Sequence, residues 1–300
     1  MAQLTPEEIS AEAAERPRAA YFAIVAGVLS LLGGIGSLVF QRSLPTATAS
    51  KVVDVLEAMQ ARVVDDTAPP RSFNAVQIEY IGDHLIGWIG PQLLTSLGVL
   101  LLIVPVVFVF RATRARKDDL RSLGGTMVVV GAVTSGIGVL VYTVVIGIDA
   151  SSFSGSSVAD TRDMLTSQPA IASQVVGIIG RIALAVGLIV VSLNAMRVGL
   201  LTRFVGILGI IVGITVVFGG GGLDQINLLR SSWLVFVGLL LLGKMPGAYR
   251  DPPAWSRGEA IPWPSQQELR ERREAEAAAA GGADDGGDDA PERRSRKRRK

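Results

Sequence analysis

Residues 171–218, IASQVVGIIGRIALAVGLIVVSLNAMRVGLLTRFVGILGIIVGITVVF, decide the class of this chain. The stretch is almost unbroken apolar sequence, interrupted by Arg181 and by a polar hinge from Asn194 to Arg203. Each arm is long enough to cross a bilayer, since about 20 helical residues span the ~30 Å hydrocarbon core. An arginine inside such an arm needs an explanation, because bilayers tolerate buried charge poorly.

The same pattern repeats outward. Of the 300 residues 49% are hydrophobic, and they gather in long blocks rather than in amphipathic alternation, which predicts an all-α, polytopic transmembrane bundle. The formal net charge of +2 selects no partner; its distribution matters more, because charge collects in loops and tail. Cysteine is absent and histidine occurs once, as His84, which excludes disulfides, thiolate chemistry and multi-histidine metal sites.

Residues 1–18 form a polar leader in which Thr5 and Glu8 fit a capping box, predicting a short surface helix. The first apolar block covers residues 19–40. Ala47-Thr48-Ala49 resembles a signal-cleavage site, but the block is longer than the ~7–15 residues of a signal core and ends well before that site, so retention as a first helix is expected. Residues 41–85 make a long polar connection, with helical spacing at Val52, Val53, Leu56, Met59 and Val63. Further spans are predicted near residues 86–110, 123–148, 171–196, 200–218 and 226–243. The last is the weakest, because Arg230, Ser231 and Ser232 sit near its start.

Cations crowd between the second and third spans (Arg111, Arg114, Arg116, Lys117, Arg121), in the turn at Arg197 and Arg203, and in the tail. The positive-inside rule then places both termini in the cytoplasm, and an even number of spans agrees with that. Three parts follow: a leader 1–18, a six-helix domain 19–243 with an extracytoplasmic loop 41–85, and a largely disordered cytoplasmic tail 244–300. The tail carries an extended segment around Trp255 and Trp263, an acidic glycine-rich run and a basic end.

The stretch Leu200-Leu201-Thr202-Arg203-Phe204-Val205-Gly206-Ile207-Leu208-Gly209 resembles the opening of the fifth helix in bacterial six-helix membrane proteins of unknown function, where the pattern is L-L-x-R-x-x-G-x-L-G. Arg111-Ala112-Thr113-Arg114-Ala115-Arg116 is similar to their second loop. Pro252-Pro253-Ala254-Trp255 with Pro262-Trp263-Pro264 resembles actinobacterial versions. The resemblance implies a fold and an envelope location, in a plasma membrane, but no activity.

Arg181 is the sharpest candidate. It lies ten residues past Ile171, so it can sit up to ~15 Å deep, where insertion scales charge roughly 2.5–3.5 kcal/mol for arginine. It reads either as an anion or substrate contact or as a structural arginine that snorkels or pairs with Asp149 or Asp224; the structural role is the expectation. Gly219, Gly220, Gly221 and Gly222, followed by Asp224, read as a flexible turn, with a broken-helix binding loop as the alternative. His84, beside Asp83, reads as a polar anchor rather than a proton relay. Ala132 with Gly136, and Gly209 with Gly213, have small-xxx-small spacing, which predicts packing within the chain and, as the alternative, a homo-oligomer.

The functional expectation is a non-catalytic membrane scaffold or envelope factor. Its basic end, Arg293, Arg294, Arg296, Lys297, Arg298, Arg299 and Lys300, would meet anionic lipid head groups or a partner. The alternative is a small-solute permease using Arg181 and the Gly219–Gly222 loop. No catalytic set, metal or cofactor motif is found, and nucleic acid is not an expected partner.

Overall fold

The computed structural model describes residues 4–45, 72, 74–117, 123–155, 157–218, 227–245 and 252–263, with positions 268, 270, 271, 274 and 275. The expected amphipathic helix near 52–63, the glycine run 219–222 with Asp224, and the basic end 293–300 lie outside the described residues. Among those described, every regular element is a helix: α1 Pro6–Ser43, α2 Ala75–Asp83, α3 Leu85–Leu101, α4 Ile103–Arg116, α5 Leu123–Ser151, α6 Val158–Leu165, α7 Gln168–Arg197, α8 Arg203–Val217, α9 Leu228–Leu241 and α10 Pro253–Arg257. Four stretches are long and apolar enough to cross a membrane: α1, α3 with α4, α5 and α7. The apolar helices α8 and α9 are shorter.

The leader is not a separate surface helix. The expected capping box is present, with Thr5 N donating to Glu8 at 2.8 Å and Glu8 N to Thr5 Oγ1 at 3.4 Å. The helix it opens then runs through Pro17 into the first apolar block. Proline removes one donor there without ending the helix, because the flanking turns hold. α3 and α4 likewise act as one 32-residue stretch. Leu102 N still donates to Gly98 O and Val106 N to Leu102 O across the junction, and the interruption belongs to Pro105, which has no N–H to return.

α9, α1, α3, α5, α7 and α8 pack side by side in that order, and α8 meets α9 to close a ring. The closest of these contacts is the α5–α7 seam. Val128, Gly131, Ser135 and Gly138 descend α5 in steps of three and four, opposite Gly187, Leu184, Gly180 and Gly177 on the antiparallel α7. A Cβ on Gly138 would lie 2.7 Å from Gly177 N, and one on Gly131 would run into the Leu184 backbone. Small residues let helix backbones approach this closely, and in lipid such packing replaces the hydrophobic drive. The two small-xxx-small pairs are used within the chain. Gly209 and Gly213 face Ser192 and Ile189 of α7, and Gly136 faces Leu100 of α3.

A second set of contacts ties the leader end of the ring together. Arg116, at 0% exposure, closes α4. Its Nη1 meets both Glu12 carboxylate oxygens at 3.1 Å, while Nε and Nη2 donate to the Ala254 carbonyl at 3.1 and 3.0 Å. Trp255 lies under the guanidiniums of Arg16 and Arg116, 4.8 and 5.5 Å from its ring, and is stacked on Phe108 at 5.8 Å. Its indole N–H donates to Leu200 O at 3.0 Å. Gly199, at φ +79°, has the Ile261 carbonyl where a Cβ would stand, so only glycine fits that crossing.

Two sequence expectations are thereby corrected. Arg116 is not a solvated loop cation, because a carboxylate and two carbonyls supply its partners inside the protein. Trp255 is not part of an extended tail segment, since it lies in α10, is 6% exposed and has its polar edge satisfied by Leu200. The compact unit runs from Met1 to Pro262, and Trp263–Lys300 forms a second unit; the apolar pattern had suggested a boundary at residue 243.

Two outcomes test this packing. Gly131→Ala should destabilise the detergent-solubilised protein by about 1–3 kcal/mol through overpacking, whereas Gly136→Ala, whose added Cβ finds its nearest neighbour at 3.5 Å, should leave the thermal midpoint nearly unchanged. Equal effects would show that the seam is not close-packed. At the leader end, Glu12→Ala strands a buried guanidinium and should cost about 3–5 kcal/mol, while the double variant Glu12→Leu/Arg116→Met should recover much of that loss. A loss below ~1 kcal/mol, the range of exposed pairs, would mean that Arg116 is hydrated.

Candidate functional site: a polar cavity inside the helix ring

The ring encloses a cavity of about 250 Å³. Ser37 and Gln41 of α1 line it, with Gln92, Thr95, Ser96 and Val99 of α3, and Ser135, Gly136 and Val139 of α5. α7 contributes Arg181 and Leu184, α8 Thr215 and Val216, and the start of α9 Asn227 and Arg230. The lining extends from exposed Gln41 inward to buried Val99 and Leu184, which belong to the apolar core. The core therefore bounds the cavity toward the leader.

Local structure sets each polar group in place. Arg181 is the next residue after Gly180, whose missing side chain lets α7 sit against Ser135 and Thr134. The glycine seam thus holds the arginine beside the hydroxyl-bearing face of α5. Along α7 it stands ~20 Å from Gln168 and ~24 Å from Arg197, at ~1.5 Å per residue, well within the apolar span. α8 and α9 have 15 and 14 residues, so each covers only ~21–22 Å of a ~30 Å hydrocarbon layer. Their facing ends, Thr215 with Val216 and Asn227 with Arg230, meet the cavity inside the bundle rather than beyond it. Asn227 adopts φ 54°, a left-handed conformation that asparagine tolerates better than most residues.

Two lining hydroxyls, Thr95 Oγ1 and Ser96 Oγ, are buried without a hydrogen-bond partner among the described residues. Thr95 Oγ1 lies against Gly33 of α1. Threonine and serine in helices usually satisfy themselves on the preceding turn, as Thr215 does on Val212 O at 3.0 Å. An unsatisfied buried hydroxyl costs about 1–3 kcal/mol. Both oxygens are themselves covered by protein, so they are orphaned within the helix packing rather than presented to the cavity.

Of the residues singled out in the sequence, Arg181 lines the cavity. Asp149 does not. Its Oδ2 accepts from Ser167 Oγ at 3.3 Å, and Ser167 is 14 residues from Arg181, ~21 Å along the helix, too far for an arginine side chain to span. Asp224 and the four glycines lie outside the described residues, as does the basic end. His84 stacks on Tyr80 at 4.1 Å and its Nδ1 lies 3.0 Å from Tyr80 O, at the junction of α2 and α3. Sequence reasoning missed Arg230, which is 9% exposed. The signal was present, a cation inside an apolar block, but its nearness to the block's start made it read as a frayed end.

Among the described residues no group of three or more His, Cys, Asp or Glu could hold a metal ion. No family model matches the chain, nor does any curated protein or solved structure.

Proposed function

We propose that the chain is a multi-pass plasma-membrane protein that binds a small polar solute within the helix ring and passes it across the bilayer. The cation-rich turns support a cytoplasmic leader end, which is then the inner face. α8 and α9 then complete six spans as a shortened hairpin. The observation that carries this reading is the polar cavity itself. Gln41, Gln92, Thr95, Ser96, Arg181 and Arg230 converge in a bundle whose outside is apolar. Polar groups at membrane depth are costly, and the arrangements that retain them line solute or ion paths. Shortened apolar helices meeting at a central site are the pattern of transporter binding sites.

In this reading the cavity is filled from the extracytoplasmic side. The apolar core and the Glu12–Arg116–Trp255 contacts close the inner side in the conformation described. Passage requires those inner contacts to loosen, so they form the inner gate.

The test is flux in proteoliposomes reconstituted with the full chain, using radiolabelled glycerol, succinate and inorganic phosphate as probes. At least one should enter faster than into protein-free vesicles, and Arg181→Ala should lower that rate at least tenfold. If all three enter at the protein-free rate, the permease reading fails.

A further inference from the structure

Resting on the solute-binding reading, we infer that the solute is a small neutral molecule that both donates and accepts hydrogen bonds, a polyol or an amide, met by Ser37 and Gln41 of α1 and Gln92 of α3. Most other polar groups of the lining are already engaged or enclosed. Arg181 and Arg230 each have a partner within the protein, so neither calls for an anionic occupant. The Thr95 and Ser96 oxygens are enclosed by the helix packing. The hydroxyls of Ser135 and Thr215 donate to the preceding turn of their own helices, to Ala132 O at 3.5 Å and Val212 O at 3.0 Å. The side chains of Ser37, Gln41, Gln92 and Asn227 line the cavity and have no hydrogen-bond partner among the described residues. All four are uncharged.

The first three are gathered by the contact between α1 and α3. Ser37 and Gln41 are one helical turn apart on α1 and share a face. A Cβ on Gly36 would meet the Pro91 ring at 3.0 Å, so Ser37 and Gln92, which adjoin that close approach, stand at the same level. Ser37 is ~9 Å from the end of α1 at Ser43, and Gln92 is ~10 Å from the start of α3 at Leu85. A carboxamide carries two donors and an acceptor oxygen, and a hydroxyl both donates and accepts. An oxyanion only accepts, so it leaves the amide carbonyls unmatched; an ammonium only donates, so it leaves the amide N–H groups unmatched. A hydroxyl-bearing or amide solute matches both kinds of group, and unmatched polar groups at a site cost affinity. At about 250 Å³ the cavity falls below the ~300–1,000 Å³ of sites for drug-sized ligands, so a molecule of few heavy atoms fits.

The experiment measures solute entry by stopped-flow light scattering in proteoliposomes of the full chain, with glycerol, urea and sodium succinate as probes. Glycerol or urea should enter at least tenfold faster than into protein-free vesicles, and succinate should enter at the protein-free rate. Gln92→Leu should lower the accelerated rate at least tenfold. Gln92→Asn, which keeps the amide on a shorter stem, should fall between wild type and Gln92→Leu, an ordering that general destabilisation would not produce. Gln41→Leu, at an exposed position where folding tolerates the change, should lower the rate at least threefold. Entry of glycerol or urea unchanged in both leucine variants would overturn the assigned site. Accelerated entry of succinate, with or without the neutral probes, would overturn the neutral assignment and leave the solute-binding reading in place. No probe entering faster than into protein-free vesicles would overturn both.

Discussion

A charged side chain carried into hydrocarbon by an apolar helix must turn toward protein or water, and this constraint organises the bundle. Arg181 and Arg230 stand on helices whose outer faces are rows of isoleucine, valine and leucine, including Ile179, Ile182 and Leu228. The ring supplies an interior for both. It can do so because α5 and α7 meet almost backbone to backbone over glycines, which fixes the rotation of α7 and brings Arg181 round to the cavity. A bulkier seam would separate the helices and change which face of α7 looks inward. The placement of charge thus depends on residues that carry none.

The opposite end of the ring obeys the same rule with a different solution. Arg116 is buried among protein groups that satisfy it fully: the Glu12 carboxylate and the carbonyls of Ala112 and Ala254. Three segments distant in sequence, the leader, the end of α4 and the strap at 252–262, are held by this one side chain. Arg16 adds a further tie, donating to Leu240 O at 3.0 Å near the carboxyl end of α9, where the helix dipole favours a cation. At this end Arg116 is saturated by the protein and ties its segments together. Arg181 and Arg230, at the other end, line a cavity. That asymmetry is the structural basis for assigning binding to one end and closure to the other.

How much of this could be read from the sequence follows from which features are local. Apolar blocks are local, so the helical class and the approximate spans at residues 86–110, 123–148 and 171–196 were legible. The capping box at Thr5 was also legible, although not the continuity of its helix through Pro17, because proline alone does not reveal whether flanking turns compensate. Arg181 stood out because its surroundings are apolar on both sides. Arg230 did not, because three polar neighbours blurred it into a helix end. Arg116 and Trp255 were misjudged for a common reason. The partners of Arg116, Glu12 and Ala254, lie 104 and 138 residues away, and that of Trp255, Leu200, lies 55 away, and no spacing rule reports contacts of that range. The glycine seam was only partly visible. Small residues were plentiful on both helices, yet which of them face each other depends on the relative rotation of α5 and α7.

If the polar cavity is open to water while the outer faces of the helices meet lipid, cysteines placed on the two surfaces will react differently. The chain lacks cysteine, so single substitutions report on their own sites. Neighbouring positions on α8 give the sharpest contrast, since Thr215 lines the cavity and Ile214 is exposed on the outer face. With the protein in liposomes, a charged, membrane-impermeant methanethiosulfonate should modify Thr215→Cys and leave Ile214→Cys unreacted. Modification of Ile214→Cys alone, or of neither, would contradict a polar interior.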